Sequence, residues 1–137
     1  MLVTAQAGAQ VLSAACSEPK GTRFDLTGGS VKQDSDAFAG VNPQFVIAAS
    51  NPKRLTVIWP DTRALDSAAR QNAHEALIVD ASPEMVTAIA LHNERATMYT
   101  LYPKKELVYM SMHRQINFGN SVANGALFHM TCKFENN

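Results

Sequence analysis

The chain carries no net charge and no long apolar run, and each absence removes a class of function. Twelve Lys and Arg balance twelve Asp and Glu, and the basic residues stand singly except for Lys53-Arg54 and Lys104-Lys105. A neutral surface without a basic stripe does not attract phosphate backbones, so we expect no nucleic-acid partner. A membrane-spanning helix requires roughly 18 to 20 consecutive apolar residues, so we expect no membrane span.

Sequence motifs for catalysis or cofactor binding are also missing. There is no His-x-x-x-His pair, no Gly-x-Ser-x-Gly elbow and no glycine loop of the phosphate-binding kind. Among the four histidines, His113 and His129 could meet in space as a metal site, or they could be outward-facing polar residues of two strands. The sequence therefore predicts no catalytic residue, no metal and no cofactor, and it favours a protein that is not an enzyme.

The residues that are present have the composition of one globular domain. The chain has 137 residues, of which 46% are hydrophobic and 18% are charged. This length is too short for two ordinary domains with separate cores, and the apolar content is sufficient for one sizeable core. We therefore expect a single folded unit.

Two cysteines, Cys16 and Cys132, stand near the two ends of the chain with none between them. In an exported protein this even count predicts one disulfide that closes almost the whole domain. In the chain-entropy model a loop of this order is worth roughly 4 to 5 kcal/mol of stability. The alternative is a cytosolic protein with two buried, unpaired thiols.

The first fifteen residues are small, uncharged and rich in alanine, and residues 4–7 resemble the small-residue stretch at a signal-peptidase site. We therefore divide the chain into residues 1–15, a leader or signal remnant that is poorly ordered, and residues 16–137, a single β domain. A plain disordered leader or a short helix is the alternative. Export to the periplasm or beyond is the favoured interpretation, since a disulfide is typical of that environment.

Strand and turn signals begin after Gly21. Residues 22–27 predict a short strand that ends at Gly28-Gly29, a pair suited to positive φ. Residues 30–43 have few consecutive apolar positions, and we expect a loop there. Residues 44–49 and 55–59 predict a hairpin.

Residues 63–74 have a different pattern, because alanine and leucine recur at nearly helical spacing. This stretch predicts either a helix of one to three turns or an ordered loop. Beyond it the apolar alternation returns, and we expect strands at residues 76–80, 85–92, 96–102 and 107–112, with a polar loop at 115–124.

The last strand gives the clearest pattern in the sequence. Residues 126–134 alternate with a period of two, which a helix cannot present. The residues of one parity are predicted to face the core: Ala126, Phe128, Met130, Cys132 and Phe134. Taken together, the segments predict an all-β fold, an antiparallel meander of about seven or eight strands that closes as a small barrel or a two-layer sandwich.

Three segments carry a resemblance to a known group of proteins. Residues 16–23 (CSEPKGTR), 100–104 (TLYPK) and 128–132 (FHMTC), in this order, resemble small uncharacterised exported proteins of Gram-negative bacteria that have one cysteine near each end. The resemblance implies a bacterial exported β domain. It transfers no functional residue, because none of the shared features is a catalytic motif.

Two functional hypotheses remain open at this point. The first is a non-enzymatic exported binding module, of which an inhibitor would be one form, that engages a protein or a small ligand. The second is a small barrel carrier or enzyme with an apolar interior pocket, lined by methionines that otherwise belong to the core. The residues proposed for a ligand or partner surface are Trp59, His92, Tyr99, Tyr102, Tyr109, His113 and His129. The sequence indicates no oligomeric state.

Overall fold

The computed structural model describes residues 10–60, 71–92, 95–118 and 120–136. These residues form antiparallel strands joined by turns and one short 3₁₀ turn (Pro103–Lys105). The strands are β1 (Gln10–Cys16), β2 (Lys20–Thr27), β3 (Ser30–Ala37), β4 (Gln44–Ala48), β5 (Arg54–Pro60), β6 (Gln71–Ala81), β7 (Val86–His92), β8 (Arg95–Tyr102), β9 (Leu107–Phe118) and β10 (Asn120–Asn136).

Eight of these strands close into a barrel. They follow the order β1-β4-β5-β6-β7-β8-β9-β10, and β10 pairs with β1 to complete the circle. The remaining two strands, β2 and β3, form a hairpin that pairs with β10 outside this closed circuit. The predicted all-β meander is confirmed, and of the two closures that the sequence allowed, the structure has the barrel.

Strand β10 is shared between the barrel and the added hairpin. Its C-terminal part pairs with β1, from Cys132 to Asn136, and its earlier part pairs with β2, from Ala123 to His129. Strands β1 and β2 therefore follow one another along the same edge of β10. Pro19 lies between them and has no backbone N–H to offer, so the chain leaves the ladder there before β2 begins.

The barrel interior is filled by side chains that alternate along the strands. The alternation predicted for the last strand is confirmed, since Ala126, Phe128, Met130 and Cys132 are buried and Phe134 packs against the same cluster. Facing strands supply the rest of the core with Leu12, Ala14, Phe45, Ile47, Leu55, Val57, Ala76, Val86, Ala88, Tyr99, Leu101, Val108, Met110 and Met112.

The predicted disulfide is present and lies where the barrel closes. Cys16 stands directly opposite Cys132 in the pairing of β1 with β10, and the two sulfur atoms are 2.03 Å apart. The bond therefore joins the first and last strands of the barrel across one ladder. A disulfide is typical of proteins that act outside the cytoplasm, where thiols are not kept reduced.

Glycine has a steric role at two places in the hairpin. Gly28 and Gly29 have φ of 60° and 85°, which the predicted tight turn between β2 and β3 requires. At Gly21 the reason is close approach, because a Cβ there would lie 1.9 Å from the carbonyl oxygen of Leu127. The hairpin can leave the barrel along this path only with glycine at residue 21.

Three segments differ from the sequence expectation. Residues 30–37 form β3 rather than a loop, and residues 115–118 and 120–124 belong to β9 and β10 rather than to a polar loop. Residues 10–15, assigned above to the leader, belong to β1. In each case a backbone ladder holds a strand whose side chains are small or polar, so the apolar alternation that reveals a strand is weak. Most of the helix-or-loop stretch at 63–74 lies outside the described residues, and its last four residues are in β6.

Candidate functional site

The added hairpin extends the barrel into a curved sheet that has two usable faces. We call this the hairpin wall: β2, β3, residues 109–115 of β9 and residues 123–129 of β10. Side chains opposite each other on neighbouring strands point to the same face, and successive residues alternate between faces. Leu127 and His129 therefore point away from the core residues Phe128 and Met130.

The outward face of the hairpin wall holds two adjoining open depressions with volumes of about 720 Å³ and 870 Å³, which share Phe24. We call them together the hairpin groove. The first is lined by Phe24, Leu26, Val31, Arg95, Ala96, His113, Arg114, Gln115, Ala123, Asn124 and Gly125. The second is lined by Lys20, Gly21, Thr22, Phe24, Gln33, Ser35, Asp36, Ala37, Tyr109, Leu127, Phe128 and His129.

Large apolar side chains in the hairpin groove are open to solvent. Phe24 and Leu26 are each 43% exposed, Val31 is 65% exposed and Leu127 is 54% exposed. Small residues lie between them, and a Cβ added at Gly125 would come no closer than 3.8 Å to the Cδ2 atom of His113. The groove is therefore an apolar depression with spare room above its floor.

Exposed apolar side chains also occur on the barrel beyond the groove. One cross-strand row starts at Thr22 and Leu127 and passes through Ser111 to Met98 on β8. It continues through Ile89 and Leu77 on β7 and β6. Leu127, Met98 and Leu77 in this row are exposed. The polar residue Ser111 separates Leu127 in the groove from Met98 and Leu77 on the barrel.

The inward face of the hairpin wall carries a polar network instead. Asn124 is 5% exposed and stands between two charged side chains. Its amide nitrogen donates a hydrogen bond to a carboxylate oxygen of Asp25, and its Oδ1 accepts one from Nε of Arg114 at 2.9 Å. Asp25 and Arg114 are the cross-strand partners of Asn124 on β2 and β9. Three strands are thus joined by one buried amide.

Arg23 connects this network to β3. Its Nε donates to Asp25 Oδ2 at 2.8 Å, and its NH1 lies 3.5 Å from Asp36 Oδ2. The hydrogen bond with Asp25 is the main cause that raises the pKa of Arg23. The hydrogen bond from Asn124, opposed by burial and assisted by Arg23, lowers the pKa of Asp25. Both shifts favour the charged forms, so the ion pair persists at neutral pH.

Two arginines meet at the end of this network. Arg95 on β8 is the cross-strand partner of Arg114 on β9. Burial lowers the pKa of Arg114, and the positive charge of Arg95 adds to that effect, while Asp36 and Asp25 oppose it. Like charges placed opposite one another destabilise a sheet. The carboxylates of Asp25 and Asp36 therefore offset the repulsion between these two arginines.

The polar network was not predicted from the sequence. Asn124 and Asp25 are 99 residues apart. Asp25 falls in the predicted strand at 22–27, and Asn124 falls in the predicted loop at 115–124. No local motif links them, because the contact depends on β2 pairing with β10. Charged residues recur at alternate positions, at 23 and 25 and again at 32, 34 and 36. A loop does not require this alternation, so it was a sequence signal that favoured strands here.

Three of the residues predicted for a partner surface come together in the hairpin groove. Tyr109, His113 and His129 line it. His129 is the cross-strand partner of Tyr109, and His113 is the partner of Gly125. Within the part of the chain that the structure describes, no group of three His, Cys, Asp or Glu is arranged to hold a metal.

The other predicted surface residues lie elsewhere. Tyr102 stacks edge-on against Tyr109 at 5.7 Å, with Lys105 Nζ 5.8 Å from the Tyr102 ring, so it extends the groove on one side. Trp59 packs edge-on against Phe38 at 5.2 Å and borders the barrel core rather than the groove. The side chain of His92 lies outside the described residues.

Tyr99 is in the barrel interior rather than on the surface. It is 3% exposed, and its hydroxyl is hydrogen bonded with Nε2 of His74 at 2.9 Å. Burial raises the pKa of Tyr99, so the phenol stays protonated. The pair anchors the core at one end of the barrel, and a protein partner on the outer face would not contact the Tyr99 ring.

No family model, no curated protein and no solved structure matches the chain. Among the described residues, no helix is long and apolar enough to cross a membrane.

Proposed function

We propose that this chain is a non-enzymatic binding module, exported to the periplasm or beyond the cell, that engages a protein partner through the hairpin groove. The observation that carries the proposal is the exposed apolar surface of the groove, where Phe24, Leu26, Val31 and Leu127 are open to solvent. An apolar surface with polar side chains at its rim has the composition of a protein interface.

The distribution of exposed apolar residues supports this choice of face. The exposed large hydrophobic side chains in the described part of the chain are Phe24, Leu26, Val31, Leu77, Val79, Leu91, Met98, Tyr109 and Leu127. All of them lie on β2, β3 and β6 to β10. Within the same ranges, β1, β4 and β5 contribute none. In the described part of the chain, exposed large apolar side chains are therefore confined to the hairpin and to strands β6 to β10 of the barrel.

The disulfide supports the exported location. Cys16 and Cys132 are joined across the strands that close the barrel, and such a bond persists where the environment is oxidising. A module that meets its partner outside the cytoplasm gains a scaffold that resists unfolding. The inhibitor-like role belongs to the same proposal, since an inhibitor is a binding module whose partner is an enzyme.

The interior carrier is the less supported alternative. Phe128, Met110 and Met130 point into the barrel and are each 1% exposed. A ligand inside the barrel would have to displace such side chains, at the cost of a repacked core. The hairpin groove needs no such displacement.

The test compares two leucines that share one cross-strand row. Leu127→Ser removes an apolar side chain from the groove, and Leu77→Ser removes an equally large and similarly exposed one from β6. Both variants and the wild type are immobilised in the oxidised form and exposed to the periplasmic and secreted fractions of the producing cells. We expect one protein from these fractions to bind to the immobilised wild type and to Leu77→Ser but not to Leu127→Ser.

A second variant removes the room in the groove without removing a contact. Gly125→Trp places a large ring on the groove floor, where a Cβ meets only ordinary van der Waals contact. The purified partner should bind this variant at least about tenfold more weakly than the wild type, a loss of about 1.4 kcal/mol, because the indole ring occupies the space that the partner would fill. If all variants retain the same proteins with the same affinity, the groove is not the binding face and the proposal fails.

A further inference from the structure

The outer edge of the hairpin has no neighbouring strand in the described part of the chain. Strand β3 pairs with β2 on one side only and stands at the end of the strand order. Seven of its eight residues are exposed, and the other, Asp36, is half-buried. An open edge presents backbone N–H and C=O groups that another strand can bond.

The turn fixes which residues offer these groups. In a hairpin closed by a two-residue turn, the residues that flank the turn bond to each other, so Ser30 and every second residue after it bond to β2. Two contacts agree with this alternation. Phe38 N–H donates to Pro19 O at 3.0 Å toward β2, while Ala37 N–H donates to its neighbour Asp36 Oδ1 at 2.9 Å.

The backbone groups of Val31, Gln33 and Ser35 therefore point to the open edge. The residues between them and beyond are charged: Lys32, Asp34 and Asp36. Charges along an edge strand act against unspecific pairing, because an arriving strand must meet each of them with a side chain of suitable charge. The edge thus selects a strand with a basic residue opposite Asp34 and an acidic residue opposite Lys32.

We infer that a second copy of this chain supplies that strand, paired antiparallel with β3 about a two-fold axis at Gln33. In this register Lys32 faces Asp34 of the partner subunit, and Asp34 faces Lys32 of the partner subunit. Ser30 then faces Asp36 of the partner subunit, so no like charges meet. The inference does not depend on the proposed function of the groove.

Among the symmetric registers that pair more than three residues of each strand, the others are excluded by charge or by backbone direction. An axis at Lys32 places two lysines opposite each other, and an axis at Asp34 places two aspartates opposite each other. An axis at Ser35 places Asp34 opposite Asp36 of the partner subunit. An axis between two residues would set Gln33 opposite a residue whose backbone groups are already bonded to β2. The axis at Gln33 satisfies both conditions.

This pairing joins the binding faces of the two copies. A two-fold axis at the centre of an antiparallel strand pair runs perpendicular to the sheet, so both hairpin grooves open on the same side. The result is one continuous sheet with two grooves. A partner with two docking segments would bind such a dimer more tightly than a single copy.

The experiment is sedimentation equilibrium on the oxidised full chain at micromolar to millimolar concentration. We expect the wild type to dimerise reversibly. Lys32→Asp and Asp34→Lys each turn both opposite-charge pairs into like-charge pairs, and each should weaken the dimer by roughly tenfold or more. A mixture of the two variants should dimerise again, because one chain then carries a carboxylate at both positions and the other carries an ammonium group at both.

The mixture separates the interface from effects within one chain. Lys32 is opposite Asp25, and Asp34 is opposite Arg23, so each substitution alters its own hairpin as well. These internal neighbours are identical in the single-variant sample and in the mixture. Recovery on mixing therefore reports contact between chains, and the melting temperature of each variant shows that it is folded.

Gln33→Pro gives a second measurement that uses no charge. It removes the N–H that points to the open edge and leaves every β2 to β3 bond in place, so it should abolish the dimer and preserve the fold. A wild type that stays monomeric at millimolar concentration overturns the inference. So does a dimer that survives Gln33→Pro, or a mixture of the two charge variants that stays monomeric.

Discussion

The two parts of β10 form contrasting halves of the molecule. At its C-terminal end β10 meets β1 through the Cys16–Cys132 bond and the apolar contacts of Ala14 and Leu12. Toward its N-terminal end the same strand meets β2 through a close glycine contact and the Asn124 network. We call the first part the seam and compare it with the hairpin wall.

The comparison shows that β10 takes part both in the most stabilised region of the molecule and in the region that exposes apolar side chains. The seam is closed by a covalent bond, and its large apolar side chains face the core, so its outward face offers no large apolar side chain to a partner. The hairpin wall is held by polar contacts on its inward face, which leaves its outward face free to display apolar residues. A surface that exposes such residues costs folding free energy, and the sealed barrel beside it supplies the stability that permits this.

The largest expected effect comes from breaking the seam. We predict that replacing Cys16 and Cys132 together by Ala lowers the free energy of unfolding by about 4 kcal/mol, because the bond closes a loop of 116 residues in the unfolded chain. Urea unfolding followed by fluorescence of Trp59 measures the loss. Reduction of the wild type under the same conditions is the control and should give a similar value.

The double substitution also tests whether the pairing of β1 with β10 is stable without the disulfide. β1 retains its pairing with both β10 and β4, so the reduced barrel keeps its ladder. A loss below about 1 kcal/mol would mean that the unfolded chain is not much restricted by the bond. In that case the contrast between the seam and the hairpin wall would be one of burial alone.

The next effect comes from the junction of the hairpin wall with the barrel. Gly21→Ala places a Cβ 1.9 Å from Leu127 O, where only backbone can move to relieve it. We predict a loss of about 2 kcal/mol, as for overpacking in a tight site. Amide hydrogen exchange should accelerate in β2 and β3 before it does so in the barrel.

Gly125→Ala is the matched control for this substitution. Gly125 is also on the ladder between β2 and β10, but its added Cβ has ordinary van der Waals room at 3.8 Å. Its stability should remain within about 0.5 kcal/mol of the wild type. Equal losses for the two alanine variants would show that the path of β2 over β10 is not what requires glycine.

The seam was much easier to predict from sequence than the hairpin wall. Alternation from Ala126 to Phe134 identified the last strand and placed Cys132 on its core face, since one face of that strand is buried and the other is not. The number and position of the cysteines then indicated the bond. Closure as a barrel rather than a sandwich did not follow, because both satisfy the same alternation.

Strand β3 and the inner ends of β9 and β10 escaped prediction for a physical reason. Strand β3 has solvent on both faces along most of its length, so its residues show no apolar period, and Gln115 and Asn124 interrupt the apolar pattern of β9 and β10 with polar side chains. The strand at 22–27 and the turn at Gly28-Gly29 had a local signal, but the pairing of β2 with β10 had none. Tyr109, His113 and His129, which the sequence suggested for a partner surface, line the groove, whereas Phe24 and the network beneath it were not predicted.

The smallest expected effect concerns the pH dependence of the hairpin wall. The hydrogen bond from Asn124 keeps the pKa of Asp25 below its ordinary value of 3.8 in the folded protein. The unfolded chain therefore takes up a proton first as the solution is acidified. The stability that Asp25 contributes is complete above pH 3.8 and is lost as the pH falls through the folded pKa.

Asp25→Asn should therefore flatten the decline of stability in acid. We expect the difference from the wild-type slope to amount to less than about 1 kcal/mol across this range, since the ion pair with Arg23 is close to solvent. Urea unfolding at a series of acidic pH values measures it. If Asp25→Asn loses stability in acid as steeply as the wild type, Asp25 is not the source of this pH dependence.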